Sequence, residues 1–401
     1  MDEPFGHRYI GWYFLEQTEQ KRCEMSFFYE KRDGVLLLRC RELCKEGVIH
    51  AFSTRIGGVS QGTFESMNLG LSRGDSTAAV EENYRRFLKA AGICGPLYRV
   101  AQIHSDLVHE VPYEVAPKAG ESYSIIFDGR PPLEGDGMVT AAPHIALAVY
   151  YADCMPILLF DPLRRVCAAV HSGWRGTVRR IAARAVEKLS SCYGTRPGDV
   201  IAAVGPSVSP LCYEVSEEVA EAFRAEFGAE SGTVVRSPDE ILHPCEPELE
   251  RSAELGADSG TEPQRGSMGK DVPLYGAAAG AVVATGDRVD RVAEEKKEKT
   301  GLLEAEKAVP SEKNARHVTE ELFQREHLSE MTSPNRRWEK PHIDLWRAAE
   351  LALLDAGVPK EQIHISRICT VQNVDCYFSH RVMGDARGNN AAVIMLTDAA
   401  R

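Results

Sequence analysis

Runs of apolar residues divided by short polar breaks mark the strands of this chain. The densest signal is HIALAVYYADCMPILLFDP at 144–162, where two apolar runs break at Ala152-Asp153-Cys154. Runs of this kind, bounded by turn residues, predict neighbouring strands. Other runs predict further strands, in VLLLRC from 35, GVIHAFSTR from 47, RRVCAAVHSGWRG from 164, VIAAVG from 200, IHIS from 363 and AAVIML from 391.

Apolar residues at helical spacing predict four helices among these strands. The helix at 177–190 places Val178, Ile181 and Ala185 on one face. The other three are predicted at 78–92, ending at Gly92, at 216–227, and at 342–356, before Gly357. Because strands and helices mix without a strict βαβ alternation, we predict an α+β domain with a mixed sheet.

A charged segment interrupts this domain. Residues 231–340 hold 22 acidic and 16 basic residues, and their only aromatic residues are Tyr275, Phe323 and Trp338. This composition predicts a largely unstructured insertion. Well-formed helices are predicted on both sides, so the insertion lies within one domain, formed by 35–230 and 341–401. Residues 1–34 show no clear period and are predicted to be an N-terminal extension.

Charge and composition exclude several classes of protein. A net charge of -12 over 401 residues disfavours a nucleic-acid partner, which needs a concentrated basic surface. No apolar stretch approaches the roughly 20 residues that span a bilayer, and the first residues lack the layout of a signal peptide. The 11 cysteines are an odd number without a CxxC pair. We therefore expect a cytoplasmic protein with reduced thiols and no membrane contact.

Three side chains stand at strand ends or in glycine-rich loops, where functional groups are often held. They are His104 in AQIHSDLVHE, Cys154 between the two central apolar runs, and His171 in CAAVHSGWRG. Two imidazoles and a thiolate would suit zinc and leave a fourth position open. A nucleophile–base pair of Cys154 and His171, or simple burial of these groups, fits the spacing as well.

A set of motifs, in a fixed order, resembles the laccase-domain family. This family is also called multicopper polyphenol oxidase and is now regarded as one of purine nucleoside phosphorylases. The resemblance covers roughly 35–230 and 341–398. The motifs are HAFSTRIGGVS (50–60), QIHS (102–105), GDGMVT (135–140), ADCMPILLFDP (152–162), AAVHSGWRGTV (168–178), AVGPSVSPLCYEV (203–215), IDLW (343–346) and CTVQNVDCYFSHR (369–381).

The resemblance implies a metal triad of His104, Cys154 and His171, with Zn²⁺ as the metal and Cu²⁺ as the alternative. It implies an α-β-β-α layered fold. It also implies phosphorolysis of adenosine, inosine, guanosine and 5′-methylthioadenosine, together with hydrolytic deamination of adenosine. Purine nucleosides and phosphate are therefore the expected partners.

Four further residues are predicted to bind substrate. Arg55 matches a family arginine near the metal, and its donors suit phosphate or a ribose hydroxyl, although a loop-bracing role is the alternative. Asp153 could orient a ligand histidine or form a turn. Arg175 begins a predicted helix beside Trp174, and Arg381 closes the last long motif. For Asp136, which stands between two glycines, the turn role is favoured.

The chain also departs from the family pattern before its last strand. The family commonly has T-G-R there, whereas this chain has Arg387-Gly388-Asn389. A substrate-side arginine is therefore missing or displaced to Arg387.

Three other functions remain open. Copper-dependent phenol oxidation is disfavoured because such sites often use HxH pairs, which this chain lacks. A hydrolase or deamidase could use Cys154 and His171. A scaffold protein would carry its function in the insertion.

Overall fold

Strands with apolar residues on both faces build two six-stranded sheets in the computed structural model. The structure describes residues 26–45, 47–112, 133–241 and 337–398. All of them belong to one compact unit.

The strands of the first sheet are β1 (Phe27–Arg32), β2 (Val35–Cys40), β3 (Val48–Ser53), β4 (Leu97–Tyr98), β7 (Ala146–Tyr151) and β14 (Asn390–Leu396). Those of the second are β5 (Val108–Glu110), β6 (Gly137–Thr140), β8 (Met155–Asp161), β9 (Val166–Ser172), β10 (Ile201–Val204) and β13 (Ile363–Ile365). The first sheet carries its strands in the order β1-β2-β3-β14-β7-β4, and the second in the order β13-β10-β8-β9-β6-β5. Most neighbours are antiparallel, but β4–β7, β5–β6 and β10–β13 are parallel, so both sheets are mixed as predicted. A separate two-stranded sheet pairs β11 (Val234–Val235) with β12 (His342–Ile343).

The alternation of side chains along β8 shows how the layers stack. Leu158 and Phe160 lie in the core between the two sheets. Ile157 and Leu159 face the other way, into a core shared with helices. Since both faces of the strand are covered, its sequence is a continuous apolar run.

Helices cover the outer face of each sheet. Tyr84 and Phe87 of the first helix pack on the first sheet, and Val186 and Leu353 of two others pack on the second. The helices are α1 (Thr77–Ala91), α2 (Trp174–Val178), α3 (Ile181–Tyr193), α4 (Glu217–Phe227), α5 (Leu345–Asp355) and α6 (His380–Met383). The α+β class and the α-β-β-α layering are therefore confirmed.

Two helix boundaries differ from prediction. The helix predicted at 177–190 is broken, because Arg180 adopts a left-handed φ of 59° between α2 and α3. The helix predicted at 342–356 begins only at Leu345, since the two residues of β12 pair with β11. Asp344 then caps α5 by accepting a hydrogen bond from the amide of Arg347 at 2.9 Å.

The ordered domain begins before residue 35. Residues 27–32, which were assigned to the N-terminal extension, form β1 and pair with β2. The turn between them is Asp33-Gly34, with φ of 50° and 80°. Asp-Gly is a typical two-residue hairpin turn, so the sequence itself carries the signal for this hairpin.

The margins of the predicted insertion also belong to the domain. Trp338 is 9% exposed and stacks on the ring of His342 at 3.9 Å. Its amide donates to the carbonyl of Arg236 at 2.7 Å, so the two margins are joined to each other. The rest of the predicted insertion, 242–336, lies outside the described residues. Among the described residues, no helix has the length and apolar character needed to cross a bilayer.

Candidate metal centre

The pairing of β8 with β9 brings Cys154 and His171 together. Pro156 lies opposite His171 in this antiparallel pair, and Cys154 immediately precedes β8. The break between the two apolar runs is therefore the tight connection from β7 to β8. His104 comes from the loop between β4 and β5.

The three predicted ligands converge. One donor atom from each of His104, Cys154 and His171 lies within 4.8 Å of the other two. Cys154 Sγ is 3.9 Å from His104 Nε2. The two imidazole rings meet edge to face, with centroids 5.0 Å apart. Because His171 is 3% exposed and His104 is exposed, the group is open to solvent on the His104 side.

A buried carboxylate, Asp136, organises both histidines. Its Oδ1 accepts from His171 Nδ1 at 2.8 Å and from the amide of His104 at 3.1 Å. Its Oδ2 accepts from the amide and the hydroxyl of Ser105, at 2.6 and 2.7 Å. Since the Nδ1 proton of His171 goes to Asp136, its Nε2 is left free to act as a ligand. The sequence had favoured a turn role for Asp136.

His104 has an uncommon backbone conformation, with φ of 60°. A left-handed conformation is unfavourable for a residue with a Cβ and needs support from its surroundings. The hydrogen bonds from this loop to Asp136 supply that support. The loop that carries His104 is therefore held in place by Asp136.

Gly173 allows the ligands to approach one another. A Cβ added at this position would lie 2.5 Å from His104 Cδ2 and 3.3 Å from Cys154 Sγ. Gly176 allows the loop that carries His104 and Ser105 to pack closely, because a Cβ there would lie 2.8 Å from the carbonyl oxygen of Ser105. The two glycines of the H-S-G-W-R-G motif are thus sterically required.

The electrostatics of the group favour a thiolate. Burial raises the pKa of Cys154, but His171 and His104 outweigh it through charge and hydrogen bonds, and the net effect is a lowered pKa. For His171, burial lowers the pKa, while Cys154 and Asp136 raise it further than burial lowers it. The deprotonated sulfur is the form that binds metals and acts as a nucleophile.

Asp153 holds a different part of the chain. Its Oδ1 accepts from Thr370 Oγ1 at 2.6 Å, and its Oδ2 accepts from the amide of Arg381 at 2.7 Å. It therefore fastens the segment around 370–381 beside Cys154. The carboxylate that accepts a hydrogen bond from His171 belongs to Asp136 and not to Asp153.

The predicted substrate-binding arginines have different surroundings. Arg381 donates from Nη2 to the carbonyl of Glu214 at 2.7 Å and lies over the ring of Tyr213 at 4.6 Å. Its amide binds Asp153, directly before Cys154, so Arg381 lies near the candidate ligands. Burial raises the pKa of Tyr213, and so does the charge of Cys154. Arg175 is exposed and lies over the ring of Trp174 at 4.4 Å.

Arg55 shows the contacts of a loop brace. Its Nε donates to the carbonyl of Glu65 at 2.7 Å, and its Nη1 donates to the carbonyl of Val374 at 2.8 Å. The guanidinium also lies over the ring of Phe378 at 4.7 Å. A role in substrate binding stays a prediction.

Fold and site together define a four-layer α+β protein with a His-Cys-His group braced by a buried aspartate. The family model described as multi-copper polyphenol oxidoreductase laccase matches residues 49–244 and 306–397. The chain belongs to this family.

Two curated relatives carry the name purine nucleoside phosphorylase. The protein from Deinococcus radiodurans is 41% identical over 193 residues, which cover 48% of this chain and 68% of that protein. The protein from Bacteroides thetaiotaomicron is 26% identical over 355 residues, which cover 87% of this chain and 92% of that protein. Among solved structures, YlmD from Geobacillus stearothermophilus superposes with a TM-score of 0.59 at 23% identity, covering 93% of this chain and all of that one. This likeness supports the fold.

Proposed function

We propose that the chain is a metal-dependent purine nucleoside phosphorylase of the cytoplasm. Its substrates are phosphate and adenosine, inosine, guanosine or 5′-methylthioadenosine, and it also deaminates adenosine hydrolytically. The observation that carries the proposal is the convergence of His104, Cys154 and His171 in a chain whose relatives are named purine nucleoside phosphorylases.

The donor set fits zinc. Two imidazole nitrogens and one thiolate are typical zinc ligands, and three protein ligands leave a fourth position for water or substrate. Copper also accepts histidine and cysteine, so the donors alone do not choose between the two metals. When bound there, a zinc ion supplies Lewis-acid polarisation of a substrate atom or a water molecule.

The chain's own residues prepare this site for the reaction. In phosphorolysis a phosphate oxygen bonds to the anomeric carbon, while the bond from that carbon to the purine breaks and its electron pair leaves with the base. Asp136 holds the Nδ1 proton of His171 and keeps that ring oriented. Arg381 and Arg175 offer cations beside the aromatic faces of Tyr213 and Trp174, which suits a nucleoside and an anion. Arg55 and Asp153 complete the proposed substrate-binding set.

Replacement of Cys154 by alanine tests the proposal. Hypoxanthine release from inosine in the presence of phosphate should fall by about two orders of magnitude or more. Cys192→Ala is the matched control, because Cys192 is a partly exposed cysteine on α3. It should keep wild-type turnover. Unchanged turnover in folded Cys154→Ala protein would refute the triad.

A hydrolase that uses Cys154 as nucleophile is the second candidate, and the thiolate beside His171 favours it. Metal analysis separates the two. Zinc bound to Cys154 would block nucleophilic attack, so fully active protein with one zinc per chain excludes the hydrolase. Active metal-free protein that is inactivated by iodoacetamide at Cys154 would support it.

Phenol oxidation is the third candidate, because the family description names it. Within the described residues, one group of potential metal ligands is found, and it offers three donors. Protein purified without added copper should turn over nucleosides and leave phenols unoxidised. Copper-dependent phenol oxidation without nucleoside turnover would reverse the assignment.

A further inference from the structure

We infer that Arg387 and Arg73 form an oxyanion site beside the candidate metal centre and that inorganic phosphate is its ligand. This inference rests on the proposed phosphorolysis, which needs phosphate as the second substrate.

Arg387 is a buried cation that makes few polar contacts with the described part of the chain. It is 8% exposed, and its Nη1 donates to Asn389 Oδ1 at 3.0 Å. Its Nε is buried without a hydrogen-bond acceptor. Within the described ranges it forms no ion pair with a carboxylate. A guanidinium is always charged, and burying a charge without a counter-ion is strongly unfavourable.

A second cation lies next to it. A Cβ added at Gly70 would be 2.9 Å from Arg73 Cγ and 3.1 Å from Asn389 Nδ2, the side chain that Arg387 binds. Arg73 has neither a hydrogen bond nor an ion pair within the part of the chain that the structure describes. Burial lowers the pKa of Arg387 to about 10, and the charge of Arg73 contributes to this. Two arginines that both lie near Asn389, with no carboxylate paired to either among the described residues, suit an anion.

Two other arginines of the domain give their donors to backbone carbonyls or to a carboxylate. Arg55 gives two of its nitrogens to backbone carbonyls. Arg39, equally buried, binds the Glu30 carboxylate at 2.8 Å and the carbonyl of Ala91 at 3.2 Å. Arg387 has one neutral amide oxygen instead, so its charge is left without a partner in the described ranges. A phosphate oxygen accepts from guanidinium donors of this kind.

The chain path places Arg387 beside the metal ligands. Asn390, at the start of β14, donates from Nδ2 to the carbonyl of Tyr151 at 3.2 Å. Tyr151 ends β7, and the loop with Asp153 and Cys154 follows directly. The charges of Asp153 and Cys154 raise the pKa of Arg387, against the larger effect of burial. Asp153 is occupied with Thr370 and the Arg381 amide, so it does not neutralise Arg387 by direct pairing.

The placement suggests how the two substrates share the site. Phosphate would lie on the side formed by the residues before β14 and the loop after β3. The nucleoside would enter from the exposed side, where His104 lies. Arg387 is thus a substrate-binding residue for phosphate.

Steady-state kinetics with Arg387→Gln test this directly. The KM for phosphate should rise about tenfold or more, because a charged donor is lost, while the KM for inosine changes less than about twofold. Arg387→Lys should recover part of the loss. Arg184→Gln, at an exposed arginine on α3, is the control and should match wild type. An unchanged KM for phosphate in both Arg387→Gln and Arg73→Gln would overturn the inference.

Phosphate binding can also be measured without nucleoside turnover. Calorimetric titration with inorganic phosphate should show a site in the wild type that is lost in Arg387→Gln and weakened in Arg73→Gln. If the wild type binds phosphate but does not cleave nucleosides, the proposed function fails and the oxyanion site remains. If Arg387→Gln does not fold, the partly exposed Arg73 carries the test. Equal phosphate affinity in the wild type and Arg73→Gln would then refute the paired site.

Discussion

Two buried aspartates flank the candidate metal centre, and they hold different parts of it. Asp136 accepts hydrogen bonds from His171 and from the loop of His104. Asp153, directly before Cys154, accepts instead from Thr370 and from the amide of Arg381. One carboxylate therefore braces the ligands, and the other fastens the segment that carries candidate substrate groups. Proximity in sequence to a ligand does not decide which carboxylate supports it.

Of the substitutions at these two aspartates, we expect Asp136→Asn to have the larger effect on zinc affinity and nucleoside turnover. An asparagine offers one acceptor oxygen where the carboxylate offers two, so either the donors of His171 and His104 or the donors of Ser105 lose their partner. Zinc affinity should fall by about 10- to 100-fold, and nucleoside turnover should fall with it. Chelator competition measures the affinity. Equal zinc affinity in the variant and the wild type would show that Asp136 does not support the ligands.

Gly173→Ala tests the same side of the site through sterics. The added methyl group would overlap His104 and press on Cys154, so the three donors must move apart. Overpacking of this kind costs about 1–3 kcal/mol, and turnover should fall about tenfold. Gly198→Ala is the matched control, because a Cβ there meets nothing within 4 Å. If both variants behave alike, close packing at Gly173 is unimportant for the site.

Asp153→Asn should have a smaller and different effect. Zinc content should stay at the wild-type level, since Asp153 contacts no ligand histidine. The KM for inosine should rise by about three- to tenfold, because the amide of Arg381 loses a charged acceptor. Kinetics and metal analysis on one preparation provide both readouts. Zinc loss in this variant would contradict the division of roles between the two aspartates.

The sequence predicts the fold better than it predicts the contacts that support the candidate metal centre. Strands β7, β8 and β9 were predictable because burial on both faces leaves long apolar runs. Motif resemblance located His104, Cys154 and His171, which the structure brings together.

The role of Asp136 was missed because it depends on tertiary structure. The pairing of β6 with β9 places this carboxylate against His171, and no local pattern reveals that pairing. The burial of Arg387 likewise depends on how the residues before β14 meet the loop after β3. Local patterns predict elements, whereas these contacts join residues far apart in the chain.

Removal of residues 242–336 should have the smallest effect of all. The chain segments on either side of 242–336 are already held together, because β11 pairs with β12 and the Trp338 amide donates to the Arg236 carbonyl. A short Gly-Ser linker should therefore close the gap, with kcat/KM for inosine within about threefold of wild type. A cut at 235–335 removes part of β11 and should lower the melting temperature. A loss of turnover well beyond threefold in folded protein would show that the excised residues complete the site or recruit the partner of a scaffold.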